Sequence, residues 1–120
     1  MINKIYSVWI YVKNLEESKE FYEKALGLKV KVQDKKWIEF DLGGTSFSIF
    51  ERSKDKGPMK PAKTRIMFET EDIERTKDSL LRKNVKLIGD IKDKNYGKLL
   101  TFEDPNGHWL EIFERKKSSQ

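Results

Sequence analysis

The chain has no cysteine and only one histidine among its 120 residues. The missing thiols exclude thiol catalysis, thiolate metal ligands and disulfides. They also fit a reducing compartment, and a cytoplasmic location is expected. No apolar run reaches 18 residues, which speaks against a membrane-spanning helix. The opening Met1-Ile2-Asn3-Lys4 leads into strand-like alternation and not into a signal-peptide core. Charge of one sign is in modest excess, with 25 Lys and Arg against 20 Asp and Glu, a net charge of +5. Acids and bases interleave, as in Glu16-Glu17-Ser18-Lys19-Glu20, so most of this charge reads as a solvated face. Only Lys54 to Lys63 and Lys116-Lys117 are locally basic. No nucleic-acid reading motif accompanies them, and neither nucleic acid nor a membrane is an expected partner. With 37% hydrophobic residues the chain can bury one sizeable core, so a single domain is expected.

The sequence contains an internal repeat. Tyr6-Ser7-Val8-Trp9-Ile10-Tyr11-Val12-Lys13-Asn14-Leu15-Glu16 lies over Thr64-Arg65-Ile66-Met67-Phe68-Glu69-Thr70-Glu71-Asp72-Ile73-Glu74, matching in apolar alternation and in the polar residue that ends it. Gly44-Thr45-Ser46-Phe47-Ser48-Ile49-Phe50-Glu51-Arg52 lies over Gly107-His108-Trp109-Leu110-Glu111-Ile112-Phe113-Glu114-Arg115, and here Ile-Phe-Glu-Arg repeats literally. Duplicated units place equivalent residues at equivalent points in space.

Both halves read as strand, helix and three strands. Residues 5–12 alternate with a period of two, setting Val8 and Ile10 on one face and Ser7, Trp9 and Tyr11 on the other. Asn14 is suited to cap a helix from Leu15, with Glu17 completing a capping box, a stripe of Phe21, Tyr22, Ala25 and Leu26, and a stop at Gly27. In the second half Asp72 is the cap, Ile73, Leu80 and Leu81 form the stripe, and Asn84 ends it. Strands are expected over Lys29 to Gln33, Trp37 to Leu42 and Ser46 to Arg52, then Lys86 to Ile91, Lys98 to Glu103 and Trp109 to Arg115. Gly43-Gly44 and Asp104-Pro105-Asn106-Gly107 supply turns. The chain divides into module one (about 1–52), a linker (53–63), module two (about 64–116) and a tail (117–120). A ferredoxin-like sandwich explains less, because the second literal match falls in a fourth strand that such a fold lacks.

The segments Val8 to Ser18, Phe21-Tyr22, Leu26-Gly27, Phe68 to Ile73, Tyr96-Gly97, Phe102 to His108 and Leu110-Glu111 together resemble the vicinal oxygen chelate superfamily, which includes glyoxalases, bleomycin-resistance proteins and extradiol dioxygenases. The resemblance covers nearly the whole chain. It implies an α+β fold of two tandem βαβββ modules whose sheets form a curled mixed sheet around a concave pocket, commonly in a homodimer. It also implies one metal ligand from the first and last strand of each module. The repeat places those positions at Ser7, Ser48, Arg65 and Glu111, of which only Glu111 is a customary ligand. Serine hydroxyls rarely hold a catalytic metal alone, and arginine brings a fixed positive charge and no lone pair. The usual metal centre is therefore expected to be absent, and no cofactor is implied.

What remains is an aromatic, partly charged face. If Ser7 and Glu111 mark it, alternation adds Trp9, Tyr11, Phe50, Met67, Glu69, Trp109 and Phe113. Aromatic walls with a few polar groups suit a small-molecule pocket, although any one of these rings is equally compatible with packing the sheet or a dimer interface. Arg65 and Glu111 either pair with each other or act on a ligand, Arg65 as an anion clamp and Glu111 as acceptor or catalytic base. His108 falls out of step with Glu111 and reads as a surface or turn residue. Two functions follow. One is a metal-free protein that binds or sequesters a small aromatic or anionic compound. The other is a glyoxalase-like lyase, isomerase or dioxygenase using Glu111. A cationic drug of the bleomycin kind is disfavoured at long range by the +5 charge.

Overall fold

Alternating apolar and polar residues become strands wherever one face of the chain must be buried. In the computed structural model, which describes residues 1, 3, 5–57, 59–61 and 66–117, the strands form two four-stranded sheets. In chain order the elements are β1 (Ser7–Val12), α1 (Leu15–Glu20), β2 (Lys29–Gln33), β3 (Trp37–Asp41) and β4 (Ser46–Glu51). They continue as β5 (Met67–Glu69), α2 (Ile73–Arg82), β6 (Lys86–Lys94), β7 (Gly97–Glu103) and β8 (Trp109–Arg115). The sheets are ordered β1-β4-β3-β2 and β5-β8-β7-β6. β1 pairs parallel with β4, and β5 with β8. All other pairings are antiparallel. The fold is α+β, and the repeat read in the sequence is a repeat of topology. The compact units are Met1–Lys60 and Pro61–Gln120.

The helix starts are set twice over. Asn14 Oδ1 accepts from the Glu17 N–H at 2.9 Å, and Asp72 Oδ1 from the Arg75 N–H at 3.1 Å. The repeated Ile-Phe-Glu-Arg adds a second acceptor. Glu51 Oε1 accepts from the Leu15 N–H at 3.0 Å, and Glu114 Oε1 from the Ile73 N–H at 2.8 Å. The last strand of each unit thus holds the first free N–H of that unit's own helix, a group otherwise left without an intrahelical partner. This bond, with the Lys36 ammonium beside it, holds the Glu51 carboxyl below its ordinary pKa.

The helices end differently. After Glu20 the chain continues as a π-helical turn, Phe21–Ala25, and Gly27 reverses it at φ +73°. The wider turn buries Tyr22 fully and leaves Phe21, Ala25 and Leu26 half-buried, so the expected four-residue stripe narrows to one ring. In the second unit Asn84 takes φ +60°, as expected of the residue replacing glycine. Leu81, expected in the stripe, is 50% exposed. At about 100° per residue it is rotated away from the face shared by Ile73 and Leu80.

Each helix covers one face of its sheet. In the first unit Ile10, Val12, Leu15, Tyr22, Ile38, Phe40, Phe47 and Ile49 are buried, with the Tyr22 ring 5.2 Å from Phe47 and 6.0 Å from Phe40. In the second, Ile73, Leu80, Val85, Leu100, Phe102, Leu110 and Ile112 play this part. Each fully buried side chain of this size contributes about 1.5–3 kcal/mol. β6 runs past its expected end at Ile91 to Lys94. A register shift between Ile88 and Lys92, with Gly89 at φ +79°, absorbs the irregularity. A two-residue turn at Asn95-Tyr96 then returns the chain into β7.

Candidate functional site

With the helix-side positions taken by the core, alternation leaves the opposite face of each sheet for chemistry. In the first unit that face carries Ser7, Trp9 and Tyr11 from β1, Ser46, Ser48 and Phe50 from β4, and Trp37 and Glu39 from β3. The register pairs Ser7 with Ser46, Trp9 with Ser48 and Tyr11 with Phe50. Across β3 and β4, Trp37 pairs with Phe50 and Glu39 with Ser48. The aromatic rings touch: Trp9 meets Tyr11 edge-on at 5.0 Å and Phe50 at 4.9 Å, and Trp37 stacks on Phe50 at 6.0 Å. Ser48 is buried and Trp9 is half exposed. Ser7 is half-buried and lies one residue pair along the strand from Ser48, about 7 Å at the usual rise.

Beside Ser48 stands Glu39, a residue the sequence reading passed over. It is 8% exposed, and its Oε2 is buried with no hydrogen-bond partner. The Lys31 ammonium is 4.0 Å away, beyond hydrogen-bond reach, on a side chain that is 56% exposed.

The second unit arranges the same face otherwise. Met67 and Thr101 flank Glu111, Glu69 and Leu99 flank Phe113, and Glu103 pairs with Trp109. Glu111 is buried. Trp109 Nε1 donates to Glu103 Oε1 at 3.0 Å, and Lys86 stands 3.4 Å from the same carboxylate. Toward the β6–β7 turn the face opens into a groove of about 430 Å³ lined by Met67, Glu69, Tyr96, Phe113, Arg115 and Lys116. Tyr96 stacks over Phe113 with centroids 6.2 Å apart. Gly97 makes room for this: a Cβ there would lie 2.4 Å from the Glu114 carbonyl oxygen and 2.6 Å from the Phe113 ring. On the rim Arg115 Nε donates to Glu69 Oε2 at 2.7 Å, which raises the guanidinium's pKa above its ordinary value.

Of the expected site residues, Ser7, Trp9, Tyr11, Ser48 and Phe50 share the first unit's face, and Met67, Trp109 and Glu111 share the second's. Arg65 lies outside the described residues. His108 sits in the turn before β8, as expected, but is 2% exposed and not a surface residue. Its N–H is held by Asp104 Oδ1 at 2.8 Å, and the same carboxylate binds Asn106, so the turn is tied inward. The residues at the ligand positions implied by the family resemblance fit a divalent transition metal poorly: Ser7 and Ser48 offer only neutral hydroxyls, Glu111 is the single carboxylate, and none of them supplies an imidazole nitrogen. Among the described residues no three of His, Cys, Asp and Glu come together in a way that would hold an ion, and no helix is long and apolar enough to cross a membrane.

The family model of the Glyoxalase/Bleomycin resistance protein/Dioxygenase superfamily matches residues 4–112. The chain belongs to this superfamily. Among similar proteins, metallothiol transferase FosB of Staphylococcus haemolyticus is 30% identical over 119 residues, covering 93% of this chain and 84% of that one. The YetH protein of Bacillus subtilis is 26% identical over 115 residues, 90% and 95% of the two chains. Solved structures of similar fold include a glyoxalase family protein from Bacillus anthracis, with a TM-score of 0.81 at 21% identity over 97% of this chain and 98% of that one. TnmS3, an antibiotic binding protein from Streptomyces, has a TM-score of 0.80 at 18% identity over 96% and 98%.

Proposed function

We propose that this chain is a small-molecule-binding member of the superfamily that holds a small aromatic or anionic compound and works without the divalent metal. The observation that carries this reading is the groove beside β8. Its Tyr96 and Phe113 rings offer stacking surface, Met67 supplies an adaptable apolar wall, and Arg115 and Lys116 bring positive charge to the rim. Its volume of about 430 Å³ lies within the range of small-ligand pockets. Trp109 and Glu111 continue the same face, and Ser7, Trp9, Tyr11, Ser48 and Phe50 are assigned to binding on the first unit's face. Arg65 is assigned as a further anion clamp. We place the protein in the cytoplasm, acting as one domain and as a homodimer.

A second reading keeps Glu111 as a base in a lyase, isomerase or dioxygenase reaction. Its support is a buried carboxylate at the one implied ligand position that retains a donor, together with similarity to a metallothiol transferase. The serines at the companion positions favour binding over metal chemistry.

The test is a titration of the protein with 3-phenylpropionate and with 3-phenylpropanol, its uncharged counterpart, followed by thermal shift. A ligand at 100 times its Kd raises stability by about 2.7 kcal/mol. The carboxylate should bind more tightly than the alcohol, and Arg115→Gln should remove that preference. Absence of binding by either compound, or a preference untouched by Arg115→Gln, contradicts the assignment of this groove.

A further inference from the structure

One carboxylate oxygen of Glu39 is held out of water without the hydrogen bond that normally accompanies burial. Its side chain is nine-tenths buried, and Oε2 has no donor. Leaving a buried acceptor unmatched is costly, more so when it is ionised. Lys31 at 4.0 Å moderates the charge without bonding to it, and its long, mostly exposed side chain can swing clear. The surroundings are aromatic. On the same sheet face, Trp37 neighbours Glu39 along β3, Ser48 lies across from it, and Trp9 lies beyond Ser48, with Phe50 and Tyr11 in the adjoining row.

An acid set among aromatic rings is complementary to one chemical class. The rings' negative faces attract a cation, the carboxylate pairs with it, and the unmatched oxygen takes an N–H. We infer that this face of the first unit is a second ligand site, selective for an aromatic ammonium compound that displaces Lys31 and donates its N–H to Glu39. The overall charge of +5 slows a cation's approach, but exposed charges more than about 8 Å away are largely screened at physiological ionic strength, whereas Glu39 acts in contact. The inference does not depend on the groove of the second unit; it rests on the assignment of Trp9, Tyr11, Ser48 and Phe50 to binding and names the ligand class of that face, an aromatic cation where the groove takes an anion.

The experiment titrates the intact protein with 2-phenylethylammonium, with benzyltrimethylammonium, which has no N–H, and with neutral 2-phenylethanol. Calorimetry measures affinity, and tryptophan fluorescence, compared between the parent protein and Trp109→Phe, reports on Trp9 and Trp37. The expected order of affinity is 2-phenylethylammonium above benzyltrimethylammonium above 2-phenylethanol. Glu39→Gln, which keeps shape and removes charge, should weaken 2-phenylethylammonium about tenfold or more and leave 2-phenylethanol unchanged. Lys31→Met, on a side chain that is 56% exposed, should strengthen the ammonium several-fold by removing a competing cation. A merely structural Lys31–Glu39 pair makes the opposite prediction: both substitutions lower the melting temperature and neither changes ligand preference. That result overturns the inference, as does absence of 2-phenylethylammonium binding up to about 10 mM, near the weakest affinity such a titration resolves. Binding of 3-phenylpropionate in the Glu39→Gln protein should be unaltered, which separates failure here from failure of the groove.

Discussion

The two sheets share strand order, the register of three of their four strands and a helix on one side, yet their open faces carry different chemistry. In the first unit the buried carboxylate is Glu39 on β3 and the hydroxyl across from it is Ser48 on β4. In the second the carboxylate is Glu111 on β8 and the hydroxyl is Thr101 on β7. The acid has moved by one strand while the backbone stayed the same. The arginines that close the repeats also part company. Arg52 lies 5.4 Å over the Tyr11 ring and donates to the Lys56 carbonyl oxygen at 2.8 Å, so it is engaged within its own unit. Arg115 is 77% exposed on the groove rim, held by Glu69. A duplicated fold thus keeps the contacts that support its helices and lets the facing side chains diverge, and the two ligand classes proposed for the two faces rest on that divergence.

The largest expected effect breaks the comparison at Gly97. Alanine there collides with the Glu114 carbonyl and the Phe113 ring at φ +150°, and we expect a loss of about 3 kcal/mol or more. Exposed Lys35, at the corresponding step of the first unit, should tolerate alanine within about 0.5 kcal/mol. Chemical denaturation of the two variants measures the difference.

Next come the glutamates that repeat literally. Glu51→Gln and Glu114→Gln should each cost about 1–2 kcal/mol, because each removes a charge-assisted bond to a helix's first N–H. The Glu51 contribution carries a pH signature. Its pKa is lowered on folding, so its stabilisation is present above the unfolded-state value and is lost as pH falls through the folded one. Melting temperatures from pH 6 to 3, bounds chosen around the carboxylate range of about 4, should therefore fall less steeply in Glu51→Gln than in the parent protein. Parallel curves would remove this carboxylate from the acid response.

The smallest effect is expected at the surface pair of half-buried Lys77 and exposed Asp90, 2.6 Å apart. Asp90→Asn should leave the melting temperature nearly unchanged, and any shift should vanish in high salt. A larger, salt-independent loss would mean that the second unit relies on surface charge in a way the first does not.

The sequence made the framework readable because the framework is local. Caps at Asn14 and Asp72, positive-φ ends at Gly27 and Asn84, and strand alternation all follow from residues next to one another in the chain. The literal Ile-Phe-Glu-Arg repeat also pointed to something real, although its role in holding the helix starts needed contacts spanning 36 and 41 residues. Glu39 stayed hidden for a related reason. Trp37-Ile38-Glu39-Phe40 reads as one more strand, and only the pairing of Glu39 with Ser48 sets a carboxylate beside a residue already singled out. The groove was half visible, through Met67, Glu69, Phe113 and Tyr96-Gly97, while Arg115 read as the end of a strand and Lys116 as a locally basic residue beyond it. His108 misled because a charged-looking turn residue is usually outside, and here Asp104 and Asn106 draw the turn inward.

The proposed binding chemistry requires that a ligand be held without a metal. The direct measurement is the affinity for 3-phenylpropionate before and after exhaustive treatment with a chelator, with metal content determined on the same samples. Equal affinities in metal-free and untreated protein are predicted. Binding that disappears on chelation and returns with a stoichiometric divalent ion would contradict it.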